Sequence, residues 1–252
     1  MLSEERDIIE WSFETARKYF PDEVLVINEG NPIQKLAQED YRTPYFMMVE
    51  NALLNGTEID KIGLQNHFFA GAGCQTDEEY KASLTSRTDW LAMNDPMKYF
   101  KGLDVMAELG LPLELTEVTV PTFGDGEEAE ELQADMLRLW YSVWFSHPAV
   151  DSVVYWNTVD GYAYVVEGEN RYWNENNCRG GLWHKDLTPK KSAEMLKRLF
   201  DEEWHTDLEL TTDANGYVDF RGFFGEYDGE IDGMDFDFEI HKNDNNRWEI
   251  IA

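Results

Sequence analysis

"LPLELTEVTVPTF", residues 111–123, places an acid, Glu117, near the end of an apolar run. A carboxylate inside a buried strand is costly unless something pairs with it. Glu117 therefore has two readings: a strand ends there and presents the acid to a pocket, or the acid marks the start of a loop. The segments on either side decide which.

Upstream, Asp95-Pro96 pairs a capping residue with proline at the first helical position, and Tyr99, Leu103 and Met106 then share one face until Gly110. Downstream, Leu132, Met136, Leu139, Trp140 and Val143 recur at helical spacing across 128–146. Residues 111–118 are thus a strand between two helices, and the cycle repeats along the chain. Ile9, Phe13, Ala16 and Phe20 predict a helix over 4–20 that Pro21 ends. "EVLVIN" (23–28) reads as a short, fully buried strand, 44–55 as a helix closed by Gly56, and "IDKIGLQNHF" (59–68) as a strand. "VDSVVYWN" (150–157) is the next strand, and Thr188-Pro189 starts a last helix carrying Ala193, Leu196 and Leu199. Four strand–helix units after a lone helix predict an α/β fold with a parallel sheet. The loops that follow strands are long (68–94 and 158–187) and those that follow helices are short, the asymmetry of a (β/α)8 TIM-barrel type fold with its catalytic rim on the long-loop side.

The pattern changes near residue 204, so the reading divides the chain into 1–203 and a small all-β module over 204–252. Asn215-Gly216 is a hairpin signal, and Met234, Phe236, Phe238 and Ile240 alternate with acids as in a half-buried strand. About five antiparallel strands are expected. The acids over 226–239 fall on alternate positions without the calcium-loop spacing, which reads as a solvated strand face.

Composition narrows the partners. Acids outnumber bases 51 to 21, a net charge of −30 that phosphate backbones and anionic lipid repel, so neither nucleic acid nor a membrane surface is expected as a partner. No apolar run approaches the length of a membrane span. "MLSEERDIIE" (1–10) has neither the basic nor the apolar region of a signal peptide. Cys74 and Cys178 lie in no metal-ligand spacing; free thiols are expected, and neither a metal nor a cofactor.

Each predicted strand ends in polar or aromatic residues: Asn28, then Gln65 and His67, then Glu117, then Trp156 and Asn157. Singly, each has a structural explanation: a turn asparagine, a hydrogen-bonded core histidine, a core tryptophan, a solvated acid. In a parallel α/β sheet, however, all these ends share one side and converge on one pocket. A carboxylate, an imidazole, amides and tryptophans suit a carbohydrate site: aromatic faces stack on sugar rings, amides bind hydroxyls, and the carboxylate attacks or stabilises an oxocarbenium-like carbon.

"FETARKYFPDEVLVIN" (13–28), "IGLQNHF" (62–68), "LELTEVTV" (113–120), "VVYWNTVDGYAY" (153–164) and "GGLWHKDLTPKKSAEMLKRL" (180–199) occur in the order and spacing of the second half of glycoside hydrolase family 10, the endo-β-1,4-xylanases and their relatives. The resemblance covers about residues 7–200 and implies strands five to eight of the barrel, with β-1,4-xylan or a xylo-oligosaccharide as substrate and an extracellular or cell-surface location; a cytoplasmic one is the alternative. By resemblance, Glu117 is the catalytic nucleophile and His67 the histidine that orients it. Asn28, Gln65, Trp156, Asp160, Tyr164 and Trp183 are implied to bind substrate.

The pattern departs in places. Thr119 stands where the family has an aspartate that supports the histidine. Asn28-Glu29-Gly30-Asn31 replaces Asn-Asp-Tyr-Asn, and Tyr164 stands where a second tryptophan is usual. The family's acid/base glutamate belongs to strand four, ahead of these segments, and Glu29 sits on strand five instead. The resemblance therefore implies a chain that is the C-terminal half of a barrel, completed by a missing N-terminal half or a second copy. A non-catalytic carbohydrate-binding or scaffold protein is the alternative.

Overall fold

The computed structural model describes residues 6–30, 33, 42–85, 95–169, 171–242 and 246–250. The chain divides into two compact units, Met1–Met195 and Leu196–Ala252.

The first unit is built on a sheet of four strands in sequence order: β1 (Val26–Glu29), β2 (Lys61–His67), β3 (Leu113–Thr119) and β4 (Val150–Tyr155). All three pairings are parallel. Helices α1 (Ile8–Tyr19), α2 (Pro44–Leu54), α3 (Asp77–Thr85), α4 (Pro96–Ala107) and α5 (Glu127–Ser146) precede or link them. The Asp95 cap acts as the sequence predicts, and Thr43, which the sequence reading does not name, caps α2 in the same way. The Thr43 hydroxyl accepts from Phe46 N–H and the Asp95 carboxylate from Met97 N–H, each followed by proline in the first turn. Gly56 and Gly110 leave α2 and α4 with φ of 86° and 78°, where a side chain is strained.

The core lies between the helices and one face of the sheet. Ile62, Leu64, Leu113, Leu115 and Val118 of β2 and β3 are fully buried, as are Val49 of α2, Leu103 and Met106 of α4, and Leu137 and Trp144 of α5. Trp140 of α5 packs its ring 4.9 Å from Tyr99 and 5.8 Å from Phe68. The Tyr45 hydroxyl of α2 bonds the carbonyl oxygens of Ile27 and Gly63, each at 2.9 Å, latching the helix across β1 and β2.

Several expectations are corrected. "EVLVIN" is not buried throughout: β1 has one strand neighbour among the described residues, and Ile27 is its one buried residue. The face of α1 is half-buried, with Phe20 beyond its last turn and exposed. The two long loops carry structure of their own. The first holds α3, and the second an antiparallel hairpin, β5 (Val165–Gly168) with β6 (Arg171–Asn174), then a 3-10 turn, Glu175–Cys178. The last helix, α6, is Lys191–Arg198 rather than starting at Thr188-Pro189, and a π-helical turn, Leu199–Glu203, extends it. Residues 188–190 are spent otherwise: His184 N–H bonds Thr188 O, Lys190 N–H bonds Leu182 O, and Asp186 accepts from both Thr188 N–H and its hydroxyl.

Where about five strands are expected in the second unit, the described residues hold one hairpin, β7 (Gly225–Ile231) with β8 (Met234–Ile240). Asp232 and Gly233, with φ of 52° and 82°, close it as a two-residue turn. Asn215-Gly216 does form a turn, with Asp213 N–H on Tyr217 O, but the flanking residues stay outside any strand. Tyr227 stacks on Phe238 at 5.1 Å, and Phe220 and Trp248 close over the same face. The opposite face is acidic, with Glu226 across from Glu239, Asp228 from Asp237 and Glu230 from Asp235.

Candidate active site

The register of the sheet explains how Glu117 is aimed. Gly63 pairs with Glu114, yet Gln65 pairs with Glu117, and on the other side Leu115 pairs with Val153 but Val118 with Tyr155. β3 thus carries one extra residue, a β-bulge at Thr116-Glu117. Before the bulge, Leu113 and Leu115 face the helices; after it, Val118 and Val120 do. Without the bulge, strict alternation puts Glu117 on the helix side. With it, Thr116 and Glu117 both turn to the opposite face. The slip is visible in the sequence as a two-three-two spacing of the buried apolar residues 113, 115, 118 and 120.

Three side chains from the neighbouring strands meet the Glu117 carboxylate. Gln65 Nε2 donates to Oε1 at 2.8 Å, Asn28 Nδ2 to the same oxygen at 3.2 Å, and His67 Nε2 lies 3.0 Å from Oε2. Asn28 is held in turn by the Thr116 hydroxyl, which donates to its Oδ1 at 2.7 Å. Gly63 makes room for this crossing, since a Cβ there lies 2.9 Å from both Asn28 Oδ1 and Thr116 Cγ2. The variant Gly63→Ala is therefore expected to push Asn28 off Glu117. It is predicted to cost about 1–3 kcal/mol by overpacking, measured as a shift in the denaturant midpoint.

His67 is 7% exposed, and burial lowers its pKa more than the bond and charge of Glu117 raise it. The ring is therefore neutral near pH 7. A carboxylate only accepts, so Nε2 carries the proton; Nδ1, 3.1 Å from the Thr119 oxygen, then accepts from that hydroxyl. Thr119 thus serves the histidine nitrogen for which the resemblance implies an aspartate. Because the native pKa lies below the unfolded value of about 6.5, the unfolded state binds more protons in that window. Stability is expected to be intact above about pH 6.5 and to fall as pH drops toward the native value. A His67→Gln variant should lack that part of the slope in melting temperature measured against pH.

Trp156 follows β4 directly, with its N–H still bonded to Val118 O at 2.8 Å. Asn157 then turns the chain outward at φ 58°. The Trp156 ring meets His67 edge-on at 5.9 Å, and Phe69 stacks on the imidazole at 4.3 Å. Asn28, Gln65, His67, Glu117 and Trp156 are thus brought together. Asp160, Tyr164 and Trp183 lie in the loop beyond β4. Asp160 accepts from Gly181 N–H at 2.8 Å and pairs with the buried Lys190 at 3.2 Å. The Tyr164 ring is exposed, and its carbonyl accepts from Glu175 N–H. Trp183 is a third exposed and bridges to Val159 and Pro189. Among the described residues, none of the three hydrogen-bonds to the Glu117 cluster. Glu29, one residue beyond Asn28, accepts from Gly30 N–H at 2.9 Å, and its charge adds to burial in raising the pKa of Tyr45 of α2. Asn31 lies outside the described residues.

One residue escapes the sequence reading. Glu175 is 7% exposed and accepts from Trp156 Nε1 at 3.0 Å, Asn157 Nδ2 at 2.6 Å and Trp173 Nε1 at 3.1 Å. Its signal is an acid set among an indole and amides in "YWNENNC" (172–178).

A parallel sheet thus gathers a bulge-aimed glutamate, a buried histidine and a strand-end tryptophan at its strand ends, and comparison with known proteins gives the family. The profile of the family described as glycosyl hydrolase family 10 matches residues 4–198. The chain belongs to glycosyl hydrolase family 10. It is 24% identical over 220 residues to the anti-sigma-I factor RsgI6 of Acetivibrio thermocellus, covering 86% of this chain and 23% of that protein. It is 23% identical over 223 residues to endo-1,4-beta-xylanase 2 of Arabidopsis thaliana, covering 87% of this chain and 17% of that protein. The chain therefore spans about a fifth of the length of these curated relatives. Native xylanase 10B from Thermotoga maritima superposes with a TM-score of 0.56 at 21% identity, over 78% of this chain and 52% of that one. A family member from Paenibacillus barcinonensis does so with a TM-score of 0.53 at 19% identity, over 81% and 53%. These likenesses show a TIM-barrel type fold.

Proposed function

We propose that this chain supplies the nucleophile side of a retaining endo-β-1,4-xylanase-like site acting on xylan or a related β-1,4-glycan. The observation that carries the reading is the Glu117 carboxylate, turned out of the core by the bulge and met by Asn28, Gln65 and His67. In this reading Glu117 attacks the anomeric carbon, forming a carbon–oxygen bond as the glycosidic bond breaks, and His67 and Gln65 hold it in line for attack. Trp156 forms a wall of the sugar site.

A retaining reaction needs a second carboxyl about 5–5.5 Å away, to protonate the leaving oxygen and then activate water. The other acids of the four-stranded sheet point elsewhere or are paired. Glu114 and Asp151 pair with Lys61, and Glu29, the next residue after Asn28 on β1, alternates to the opposite face and accepts from Gly30 N–H. Glu175 already accepts from three donors. We therefore assign the acid/base to strands that close the barrel beside β1 and β4, from an N-terminal half or a second copy of this chain. An extracellular or cell-surface setting belongs to the same reading.

The test is to treat the full chain with a 2-deoxy-2-fluoro xyloside bearing a dinitrophenolate leaving group, which departs without an acid. A covalent sugar adduct mapped to Glu117 by peptide mass is expected. No adduct, with xylo-oligosaccharide binding retained in calorimetry, favours instead a carbohydrate-binding protein, a reading that rests on the engaged state of the other acids.

A further inference from the structure

The rings around His67 form a closed circuit. Phe69 stacks on the imidazole at 4.3 Å, and Trp173 meets Phe69 edge-on at 5.2 Å. Trp156 meets the imidazole edge-on at 5.9 Å. The circuit is closed by one group. Glu175 takes the Trp173 N–H on Oε1, and on Oε2 the Trp156 N–H and the Asn157 amide, the residue that turns the chain out of β4. Both carboxylate oxygens are needed, because donors approach from both sides.

The segment bearing Glu175 is fixed at its own ends. Asn174 N–H bonds Ala72 O at 2.7 Å, and Asn177 Nδ2 bonds Cys74 O at 3.2 Å, so it is tied to the loop that follows His67. Glu175 N–H bonds Tyr164 O, tying it to the loop that follows Trp156. A 3-10 turn begun by the Asn174 side chain and ended by Arg179 at φ 48° holds the acid between the two.

We infer that Glu175 is a positioning residue: it clasps Trp156 and Trp173 and so sets the tryptophan wall and the aromatic seat of His67 beside Glu117. Its sugar-binding consequence rests on the glycosidase reading; its effect on the rings does not. A glutamine in its place has one acceptor oxygen and a donating amide, so one side must meet donor with donor.

The experiment uses the full chain and Glu175→Gln, with circular dichroism confirming that the variant is folded. Nitrogen–proton spectra follow the Trp156 and Trp173 indoles and the His67 ring across pH. In the variant, at least one indole N–H is expected to lose protection from exchange. The His67 titration midpoint should move down, because a nearby negative charge that favours the imidazolium is lost. Xylo-oligosaccharide affinity should fall about tenfold, one lost buried hydrogen bond's worth. In a Trp156→Phe background, which already lacks one donor, Glu175→Gln should weaken affinity little further. Protected indoles together with an unmoved His67 midpoint overturn the assignment. A wild-type chain that binds no oligosaccharide overturns the glycosidase reading instead, and the indole and imidazole signals still decide the role of Glu175.

Discussion

Glu117→Ala is expected to abolish turnover of an activated aryl β-xyloside, a loss of more than about 10⁴-fold, the scale on which removing a catalytic nucleophile acts. The choice of substrate matters. A dinitrophenolate leaves without protonation, so the first step tests the nucleophile alone and does not need the acid assigned to the rest of the barrel. Under the proposed assignment the second step, attack of water on the glycosyl-enzyme, has no base among the described residues, so the wild type should show a burst of dinitrophenolate followed by a slow phase. Azide, which needs no deprotonation, should speed that slow phase in the wild type. His67→Ala should reduce the burst rate less than Glu117→Ala, since it leaves the carboxylate in place with Asn28 and Gln65 still on Oε1. A chain with no burst, or an alanine variant as fast as the wild type, removes Glu117 from the nucleophile role.

The largest effect on stability is expected from Trp140→Ala. Trp140 is 1% exposed and lies between Tyr99, Phe68 and Trp144, with Trp144 at 6.2 Å. Removing a buried tryptophan costs about 3–5 kcal/mol in lost transfer energy and cavity. Domains have about 5–15 kcal/mol in total. Calorimetry should show a melting temperature lower by on the order of 10 °C. Leu139→Ala is the control. That side chain is 47% exposed on the same helix, and alanine favours helix, so little change is expected. Equal losses for the two variants mean that the sheet-facing side of α5 is not where the stability of this unit resides.

The strand–helix alternation was legible because each element carries its own signal. Asp95-Pro96 and Gly110 bracket α4 by local backbone chemistry, and Tyr99, Leu103 and Met106 mark its buried face by period alone. The strand-end residues followed from one rule of parallel sheets, and Asn28, Gln65, His67 and Glu117 do meet. Elements held by distant pairing were less visible. Thr188-Pro189 looks like a helix start, but 188–190 pair with residues 182–184 instead, and the resulting bonds compete with the helix. The hairpin β5–β6 and helix α3 sit in 158–187 and 68–94, which read as long loops, and hairpin strands of four residues are too short to show a period.

From sequence alone came the kind of site: a carboxylate, an imidazole, amides and an indole at the ends of parallel strands, on a repeating α/β frame. Those depend on residue type and local period, which any short window contains. The tertiary structure decided how the site is aimed and supported. A single extra residue in β3 turns Glu117 to the donor side, because side-chain direction in a strand depends on register with its neighbours. Thr119 reaches His67, and Glu175 reaches Trp156 and Trp173, across contacts between strands and loops that chain order does not encode.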